Sequence, residues 1–357
     1  MSEARFMTNP HAPSPSRRHV LASGGAIGAG LLLAACGSNG DDGSDGSSSG
    51  AHANSRVPSG PWTFKDDRGK TATADKTPQR IVAYVSSAAA LHDFGIECVG
   101  VFGPTKQKNG KPDIQAGNLD VDKLTSVGNN WGEFNVEKYA TLQPDLLVSN
   151  MNTPPSLWYI PDDSKDKILD LSPSSIGILT AKTSLRNAIQ RYATLAESLG
   201  ADLKAKQVTD AKARFEKASE TLRQAAKGKR GLKLLAVSAS SDNLHVGNPQ
   251  SFTDLRYYQQ LGANIGAPGK TDELGFFRAV SWEQADSYEA DLILVDRRTG
   301  NLQPDELRRS KPTWRNLPAV KAGQVIPWFS EPQYSYAGIA PLIEDLARAI
   351  QDARKLV

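Results

Sequence analysis

The chain has 357 residues, of which 39% are hydrophobic and 23% are charged, and its formal net charge is +3. This composition is ordinary for a soluble globular protein with one large or two medium-sized domains. The small net charge gives no indication that nucleic acid is a partner.

Residues 1–35 have the features of an export signal, not of a folded segment. Arg17 and Arg18 precede a short apolar stretch rich in glycine, which is typical of a twin-arginine signal. The stretch is too short to persist as a membrane-spanning helix. It ends in LAACG, which resembles a bacterial lipobox, so Cys36 is expected to become the lipid-bearing N-terminus. The alternative is a chance arginine pair and an ordinary buried cysteine.

Residues 36–60 are rich in glycine and serine and predict a flexible tether. Lipid, tether and folded body, in that order, describe an exported protein anchored at the outer face of the cytoplasmic membrane. The folded body contains one further cysteine, Cys98, in an apolar segment. We therefore expect a core thiol at this position and no intramolecular disulfide.

The folded body begins with a first α/β lobe, predicted over residues 61–182. Two short segments, 62–64 and 71–73, flank a turn and predict a β-hairpin. Further strands are expected at residues 79–85, 98–102, 145–149, 168–171 and 176–179, and helices at residues 88–94 and 135–142. This alternation of strands and helices predicts a mainly parallel sheet.

Residues 183–229 form the longest predicted helical stretch. Apolar residues recur at spacings of three and four between Leu185 and Leu199, with a cap at Thr183 or Ser184 and an end or kink at Gly200. A more charged helix follows. We interpret the pair as a stiff spine between two lobes; the alternative is two ordinary helices within one large domain.

A second α/β lobe with a closing helix is predicted over residues 230–357. Strands are expected at residues 232–237, 292–296 and 324–328, and helices at residues 251–261, from 282 and at 339–357. Ser251 and Asp254 are spaced as a capping box. The predicted fold class is therefore α/β, with two mainly parallel central sheets joined by a long spine helix. The ligand cleft is expected between the lobes, where the carboxyl ends of the strands meet.

The sequence shows little sign of enzyme chemistry. It contains no GxGxxG turn, no GxxxxGK[ST] phosphate loop and no HExxH helix. After the signal, the histidines are His52, His92 and His245, and they have no metal-ligand spacing to one another. We therefore predict a protein that is not an enzyme, with no catalytic residues, no metal site and no cofactor.

Aromatic and cationic side chains follow several of the predicted strands. They are Tyr84 and Trp131 in the first lobe, and Phe277, Arg278, Arg297, Arg298, Tyr334 and Tyr336 in the second. Planar rings and arginines suit a bulky, oxygen-rich and partly anionic ligand. The alternative for each aromatic residue is a place in the core. A loop at residues 154–167, which contains Trp158 and Tyr159, has no clear place in this scheme.

Five segments in order resemble the iron–siderophore and cobalamin substrate-binding lipoproteins of ABC importers. They are WTFKDDRGKTATADKTPQRIVAYV, LHDFGIECVGV, VGNNWGEFNVEKYATLQPDLLVS, VSWEQADSYEADLILVD and PTWRNLPAVKAGQVIPW. The resemblance extends over residues 62–357. It implies two lobes joined by a long helix, with limited hinge motion and the ligand between the lobes.

The resemblance also implies roles for individual residues. It places ligand contacts at Trp131 and Phe277, one from each lobe, and Tyr84 at the lip of the cleft. It implies further contacts near Tyr334 and Tyr336, where the spacing is irregular. Two glutamates, Glu137 and Glu283, match family positions that pair with arginines of the permease dimer; the alternative is that they only stabilise the first turns of their helices.

The sequence therefore predicts a monomeric binding protein that captures a ferric siderophore and delivers it to a permease dimer with its ATPase subunits. The siderophore itself fills the six positions around iron, so the protein needs no metal ligands. The few converging arginines, Arg278, Arg297 and Arg298, favour a hydroxamate over a triply anionic catecholate. The alternatives are a binding protein for cobalamin, haem or another metal chelate, and an extracytoplasmic enzyme on the same scaffold.

Overall fold

The computed structural model describes residues 60–107 and 109–357. The predicted export signal with Arg17 and Arg18, the predicted lipidation site Cys36 and nearly all of the predicted tether lie outside the described residues. Within the described part, no helix is both long enough and apolar enough to cross a membrane.

The described chain opens with an antiparallel hairpin, as predicted. Its strands are β1 (Trp62–Lys65) and β2 (Thr71–Ala74). The Asp66 carboxylate accepts hydrogen bonds from the backbone N–H groups of Arg68 and Lys70, at 2.9 and 3.0 Å, and so closes the turn. This turn chemistry is local, which is why the sequence alone indicates the hairpin.

A five-stranded parallel sheet forms the centre of the first lobe. Its strands are β3 (Ile81–Tyr84), β4 (Gly100–Phe102), β5 (Thr125–Ser126), β6 (Leu146–Met151) and β7 (Ser175–Leu179). In space they are ordered β5–β4–β3–β6–β7, and all neighbours are parallel. The three inner strands, β4, β3 and β6, are buried along their whole length, as parallel strands between covering layers are.

The helices of the first lobe are α1 (Val85–Asp93), α2 (Val136–Thr141) and α3 (Lys165–Asp170). The strand expected at residues 168–171 is wrong, because this segment belongs to α3 and the residues after it. Ile168 is the only residue of α3 that is fully buried, and Leu171 is exposed. A short apolar run of this kind fits either a strand or one face of a short helix, and its length alone does not distinguish them.

The spine consists of α4 (Leu185–Ser198) and α5 (Lys206–Gly228). The Ser184 side chain caps α4 by accepting a hydrogen bond from the backbone N–H of Asn187 at 3.1 Å. Gly200 follows α4 with a φ of +105°, a backbone conformation that favours glycine. The buried residues of α4 form the apolar stripe that the sequence predicts, running from Leu185 to Ala196.

The second lobe is built on a mixed five-stranded sheet. Its strands are β8 (Leu234–Ala239), β9 (Asn243–Gly247), β10 (Phe277–Ser281), β11 (Leu292–Asp296) and β12 (Val325–Trp328). The spatial order is β10–β9–β8–β11–β12, with β8, β11 and β12 parallel and β9 and β10 antiparallel. β9 and β10 were not predicted from the sequence: β9 alternates partly exposed with buried residues, and β10 has Val280 as its one buried residue.

The helices of the second lobe surround this sheet. They are α6 (Thr253–Gln260), α7 (Pro304–Ser310), α8 (Pro312–Asn316), α9 (Pro318–Lys321) and α10 (Tyr336–Asp352). The capping box predicted from Ser251 and Asp254 is wrong. The Ser251 hydroxyl donates to the Gly275 carbonyl at 2.6 Å, and the Asp254 carboxylate accepts from the Trp328 indole at 2.7 Å. Both side chains are engaged by distant segments instead of capping α6.

One continuous apolar core joins the two lobes. It includes residues of the first lobe, the buried faces of α4, α5 and α10, and one face of the second sheet. A separate cluster around Trp314 fills the opposite face of the second sheet. Cys98 lies in the continuous core, as predicted, and burial raises the pKa of its thiol.

Candidate functional site

The pocket between the two lobes has a volume of about 690 Å³. Gln107, Asn109 and Ile114 of the first lobe form one side, and residues 297–303 with Glu306, which follow β11, form the other. Pro327 and Phe329, at the end of β12, complete the lining. The pocket therefore lies at the carboxyl ends of parallel strands, where ligands bind in open α/β sheets. A smaller pocket of about 310 Å³ is lined only by second-lobe residues, between β12 and α10.

Trp131 presents an unusually exposed aromatic surface. Its exposed fraction is 65%, the largest among the large exposed hydrophobic residues of the described chain. Its ring centroid lies 4.7 Å from that of Trp158 and 4.9 Å from that of Tyr159. An exposed aromatic cluster of this kind is a typical contact surface for a ligand or partner. We call Trp131, Trp158 and Tyr159 the aromatic wall.

The loop that carries Trp131 is held in one conformation by its own hydrogen bonds. The Glu133 carboxylate accepts from the backbone N–H groups of Asn130 and Asn129, at 2.9 and 3.2 Å. These bonds lower the pKa of Glu133. A Cβ atom on Gly128 would lie 2.1 Å from the Glu133 carbonyl oxygen, so only glycine fits there. The exposure of Trp131 is thus a property of an ordered turn.

The loop at residues 154–167, which had no clear place in the predicted fold, supplies the rest of the aromatic wall. Tyr159 has a φ of +62°, which is a rare conformation for an aromatic residue. This conformation sets its ring 5.2 Å from that of Tyr84 and 4.9 Å from that of Trp131. Strained residues of this type are concentrated at functional sites. No local signal in the sequence indicates the positive φ.

The resemblance placed Tyr84 at the lip of the cleft, but the structure does not. Tyr84 is fully buried, and its hydroxyl lies 2.6 Å from both Glu331 Oε2 and Gln115 Oε1. Burial and the nearby charge of Glu331 raise the pKa of Tyr84, so the phenol keeps its proton and donates. The reason for the discrepancy is that Tyr84 is the last residue of β3, and Tyr159 and Glu331 of the other lobe cover it.

Arg298, next to the predicted Arg297, is already paired within the protein. Its guanidinium lies 2.7 Å from Asp296 Oδ2 and 2.5 Å from Glu331 Oε1. Burial opposes the charge of Arg298, but the two carboxylates outweigh this effect and hold its pKa above the ordinary value. The charge of Arg298 is therefore neutralised inside the protein. Neither Glu331 nor Gln115 stands out in the sequence, because their partners come from remote segments.

The remaining predicted ligand contacts in the second lobe are spread over two places. Arg297 is exposed, lines the pocket between the lobes and forms no ion pair with any described residue. Arg278 is exposed on β10 and donates to the Pro268 carbonyl at 3.1 Å. Phe277 packs among second-lobe rings, 5.2 Å from Phe252. The ring contacts of Trp131 are with the first lobe, so its position opposite Phe277 stays a prediction.

Tyr334 and Tyr336 both make packing contacts within the protein, and their contact with the ligand stays a prediction. Tyr334 is buried, stacks on Tyr192 at 6.4 Å and donates its hydroxyl to the Thr180 carbonyl at 3.1 Å. Tyr336 begins α10, and its ring packs on Phe94 and Phe215. Both rings thus connect the second lobe to the first lobe and the spine.

Glu137 and Glu283 are both exposed, one in each lobe. Asn135 caps α2 by accepting from the backbone N–H of Lys138 at 2.8 Å. Ser281 does not cap the 3₁₀ turn Trp282–Ser287 with its side chain. Hydrogen bonds from the Glu283 backbone and the Ser281 side chain instead lower the pKa of the Glu283 carboxyl.

Within residues 60–107 and 109–357, no group of three or more His, Cys, Asp or Glu side chains is arranged to hold a metal ion. The pocket lining offers amide side chains and Arg297, which has no ion-pair partner among the described residues, and the aromatic wall outside that lining offers ring surface. These groups can bind the outer surface of a bulky ligand by ring contact and hydrogen bonds.

Comparison with known proteins gives one consistent result. Residues 83–332 match the family described as periplasmic binding protein. The chain is 48% identical to DesE, a ferric-siderophore receptor protein from Streptomyces coelicolor, with a TM-score of 0.80 and coverage of 83% of this chain and 100% of that one. It is 27% identical over 308 residues to the Fe(3+)-citrate-binding protein YfmC of Bacillus subtilis, covering 83% of this chain and 86% of that protein.

A more distant structure shows the same fold. FeuA from Bacillus subtilis, a triscatecholate siderophore binding protein solved with ferri-bacillibactin, is 17% identical with a TM-score of 0.60. The match covers 81% of this chain and 97% of that one. At this identity, the likeness concerns the fold alone.

Proposed function

The chain belongs to the periplasmic binding protein family, and on that basis we propose that it is the substrate-binding protein of an ABC importer for a ferric siderophore. The observation that carries this proposal is the 48% identity to a ferric-siderophore receptor over the whole of its solved chain. The pocket between the lobes and the aromatic wall support it, since they provide contact surface for a bulky chelate.

The chemistry of the site is consistent with a ligand that brings its own metal coordination. A hexadentate siderophore leaves no position on iron for a protein ligand, so recognition depends on its outer surface. Polar amide side chains in the pocket lining can donate to and accept from such a ligand. They are Gln107, Asn109, Asn301 and Gln303.

The ligand we favour is a ferric hydroxamate, because the site offers little free positive charge. Arg298 is neutralised by Asp296 and Glu331. Arg297 is the arginine of the pocket lining that has no carboxylate partner among the described residues. A triply anionic catecholate complex would require several converging cations. A hydroxamate complex of ferric iron carries much less charge.

Ferric citrate is a second candidate, because the chain is 27% identical to a protein named for binding it. It is a small anionic chelate that would use the free guanidinium of Arg297 more than the aromatic wall. The two candidates therefore differ in which part of the site they need.

The test is a titration of the purified protein, followed by tryptophan fluorescence. The ligands are ferrioxamine, ferrichrome, ferric enterobactin, ferric citrate and cyanocobalamin, with haem as a further control. We expect saturable quenching with a ferric hydroxamate. Binding of cobalamin or haem alone would overturn the proposal, and turnover of any ligand would indicate an enzyme.

We further propose how the protein is presented to its partners. A lipid on Cys36 would hold it at the outer face of the cytoplasmic membrane after export by the signal that contains Arg17 and Arg18. Glu137 and Glu283 would dock a monomer on a permease dimer. Their support is their exposure and their place in separate lobes, since one carboxylate per lobe suits a two-fold partner.

A further inference from the structure

Glu331 connects the two lobes beneath the aromatic wall. It lies between β12 and α10, and its exposed fraction is only 6%. Its Oε2 atom accepts hydrogen bonds from first-lobe donors: the Tyr84 hydroxyl at 2.6 Å, the Trp158 indole at 3.0 Å and the Gln115 amide at 3.3 Å. Its Oε1 atom pairs with Arg298 of the second lobe at 2.5 Å.

This environment supplies the partners that a buried carboxylate needs. A buried charge is tolerated when it is paired and its lone pairs are satisfied by donors, and Glu331 has donors on both oxygens. The same set of bonds fixes two things at once. It orients the Trp158 ring, on which the exposed Trp131 packs, and it occupies one edge of the Arg298 guanidinium.

We propose that Glu331 is the positioning residue that sets the charge selectivity of the cleft. It holds Trp158 in the aromatic wall, and it keeps Arg298 from binding an anionic ligand. The inference rests on the proposed function, because it concerns which ferric chelate the same cleft accepts.

The charge balance around the pocket explains the expected selectivity. Asp296, Arg298 and Glu331 form a group with one excess negative charge. Asp113 is joined to Thr299 by a hydrogen bond, and it lies close enough to Glu331 and Asp296 for their negative charges to act on it. Arg297 and Glu306 also line the pocket, and their opposite charges balance. An anionic chelate is therefore repelled, whereas a neutral chelate is unaffected by this balance.

The discriminating variant is Glu331→Gln. The glutamine oxygen can still accept from Tyr84 or Trp158, but the excess negative charge is lost and Arg298 keeps only Asp296 as a charged partner. Wild type and variant are titrated with ferrichrome, a neutral trihydroxamate complex, and with ferric enterobactin, a triply anionic one. We expect the ratio of their dissociation constants to shift by about tenfold or more toward the anionic complex.

A matched control separates the proposed role from a general effect of charge. Glu306→Gln removes a carboxylate that lines the same pocket but is not bonded to Arg298 or Trp158. We expect it to change the ratio less, because the Glu306 carboxylate is exposed and screened by solvent, and its removal leaves Arg298 paired with Glu331. Equal shifts in the two variants, or an unchanged ratio in Glu331→Gln, would overturn the proposal. A wild-type protein that binds no ferric chelate would instead overturn the proposed function, and the inference with it.

A second variant keeps the test decisive if Glu331→Gln does not fold. Trp158→Phe retains a ring but removes the indole donor to Glu331. Loss of one hydrogen bond that fixes the wall should weaken ferrichrome and ferric enterobactin alike, by about fivefold. The NMR signal of the Trp158 indole N–H is identified by its absence from Trp158→Phe. If Glu331→Gln folds, we expect this signal to shift in that variant without ligand. Unchanged affinity in Trp158→Phe would remove the positioning role.

Discussion

At the scale of the single residue, Trp131 and Asp254 differ in burial, and this difference determines what each side chain contributes. Trp131 has 65% of its surface exposed on an ordered turn, so its ring contributes little to the folded core. Asp254 is a carboxyl group inside that core, with Oδ1 lacking a hydrogen-bond partner and Oδ2 accepting from Trp328. The first residue is free to serve binding, and the second makes stability depend on pH.

We expect Trp131→Ala to weaken binding of the ferric siderophore about tenfold or more, since a packed aromatic anchor is worth about 1–3 kcal/mol. The melting temperature of the ligand-free protein should change little, because the ring is mostly exposed. Isothermal titration calorimetry measures the affinity without relying on tryptophan fluorescence. A large loss of stability without ligand would place Trp131 in the core and contradict the proposed contact.

Burial raises the pKa of Asp254 to about 7 from 3.8, while its hydrogen bond from Trp328 acts in the opposite direction. The folded state therefore binds this proton more tightly than the unfolded state does. Its contribution to stability is fully present below about pH 4 and is lost as the pH rises to about 7.

Asp254→Asn should remove this component, which amounts to a few kcal/mol at about 1.4 kcal/mol per pKa unit. The asparagine oxygen can still accept from the Trp328 indole. Urea unfolding of both proteins between pH 4 and pH 8 measures the difference. If their free energies of unfolding vary with pH in parallel, Asp254 is not the group responsible.

At the scale of the helix, the first turn of α10 is tied to the first lobe. The Ser335 hydroxyl accepts from the backbone N–H of Gly338 at 2.9 Å and donates to Asp93 Oδ2 at 2.5 Å. Ser335→Ala loses a helix cap, worth about 1 kcal/mol, and a further, partly buried hydrogen bond. We expect it to lower the free energy of unfolding more than Ser184→Ala, which removes only the exposed cap of α4. Equal losses, measured by urea unfolding, would mean that the bond to Asp93 contributes nothing.

The proposed docking on the permease can be tested at Glu137, in the first turn of α2, and at Glu283, near the start of the 3₁₀ segment Trp282–Ser287. Changing Glu137 and Glu283 together to Ala should leave ligand affinity intact, because both carboxylates are exposed outside the pocket lining. Uptake and ligand-stimulated ATPase activity of the reconstituted transporter should be lost. The matched control changes Asp166 and Asp286, exposed carboxylates of the same two lobes, to Ala. Transport that survives in the glutamate variant would leave these residues a purely local role in their helices.

For the molecule as a whole, the shared core limits how far the lobes can move. Apolar packing passes from the first lobe through α4, α5 and α10 into the second sheet without interruption. Polar contacts such as Tyr334 with Thr180 cross between the lobes as well. Opening the cleft widely would expose part of this core, so small hinge motions are favoured over large ones.

The anchoring proposal also concerns the whole molecule. Cys36→Ser should release the protein from the membrane fraction or leave an uncleaved precursor, because no thiol remains to take the lipid.

Replacing Arg17 and Arg18 by Lys should block export by the twin-arginine route. Cell fractionation and mass spectrometry of the mature N-terminus measure both effects. Unchanged processing and membrane retention of Cys36→Ser would contradict the lipobox.

Features that depend on neighbouring residues could be predicted from the sequence. The apolar stripe of α4, the Asn135 cap and the hairpin at Asp66 all arise from spacings of a few residues. Their physical causes are helix periodicity and local hydrogen bonding, which the sequence displays directly. The same holds for the two-lobed α/β architecture, which follows from the alternation of strands and helices.

Burial and the identity of partners were determined only by the tertiary structure. Tyr84 and Tyr334 look alike in the sequence as aromatics after strands, yet both are covered by segments from elsewhere in the chain. Glu331 bonds to Tyr84 across 247 positions of sequence, and no local pattern marks either residue for the other. The energy of a buried charge or ring depends on which groups surround it, and the fold brings those groups together from both lobes.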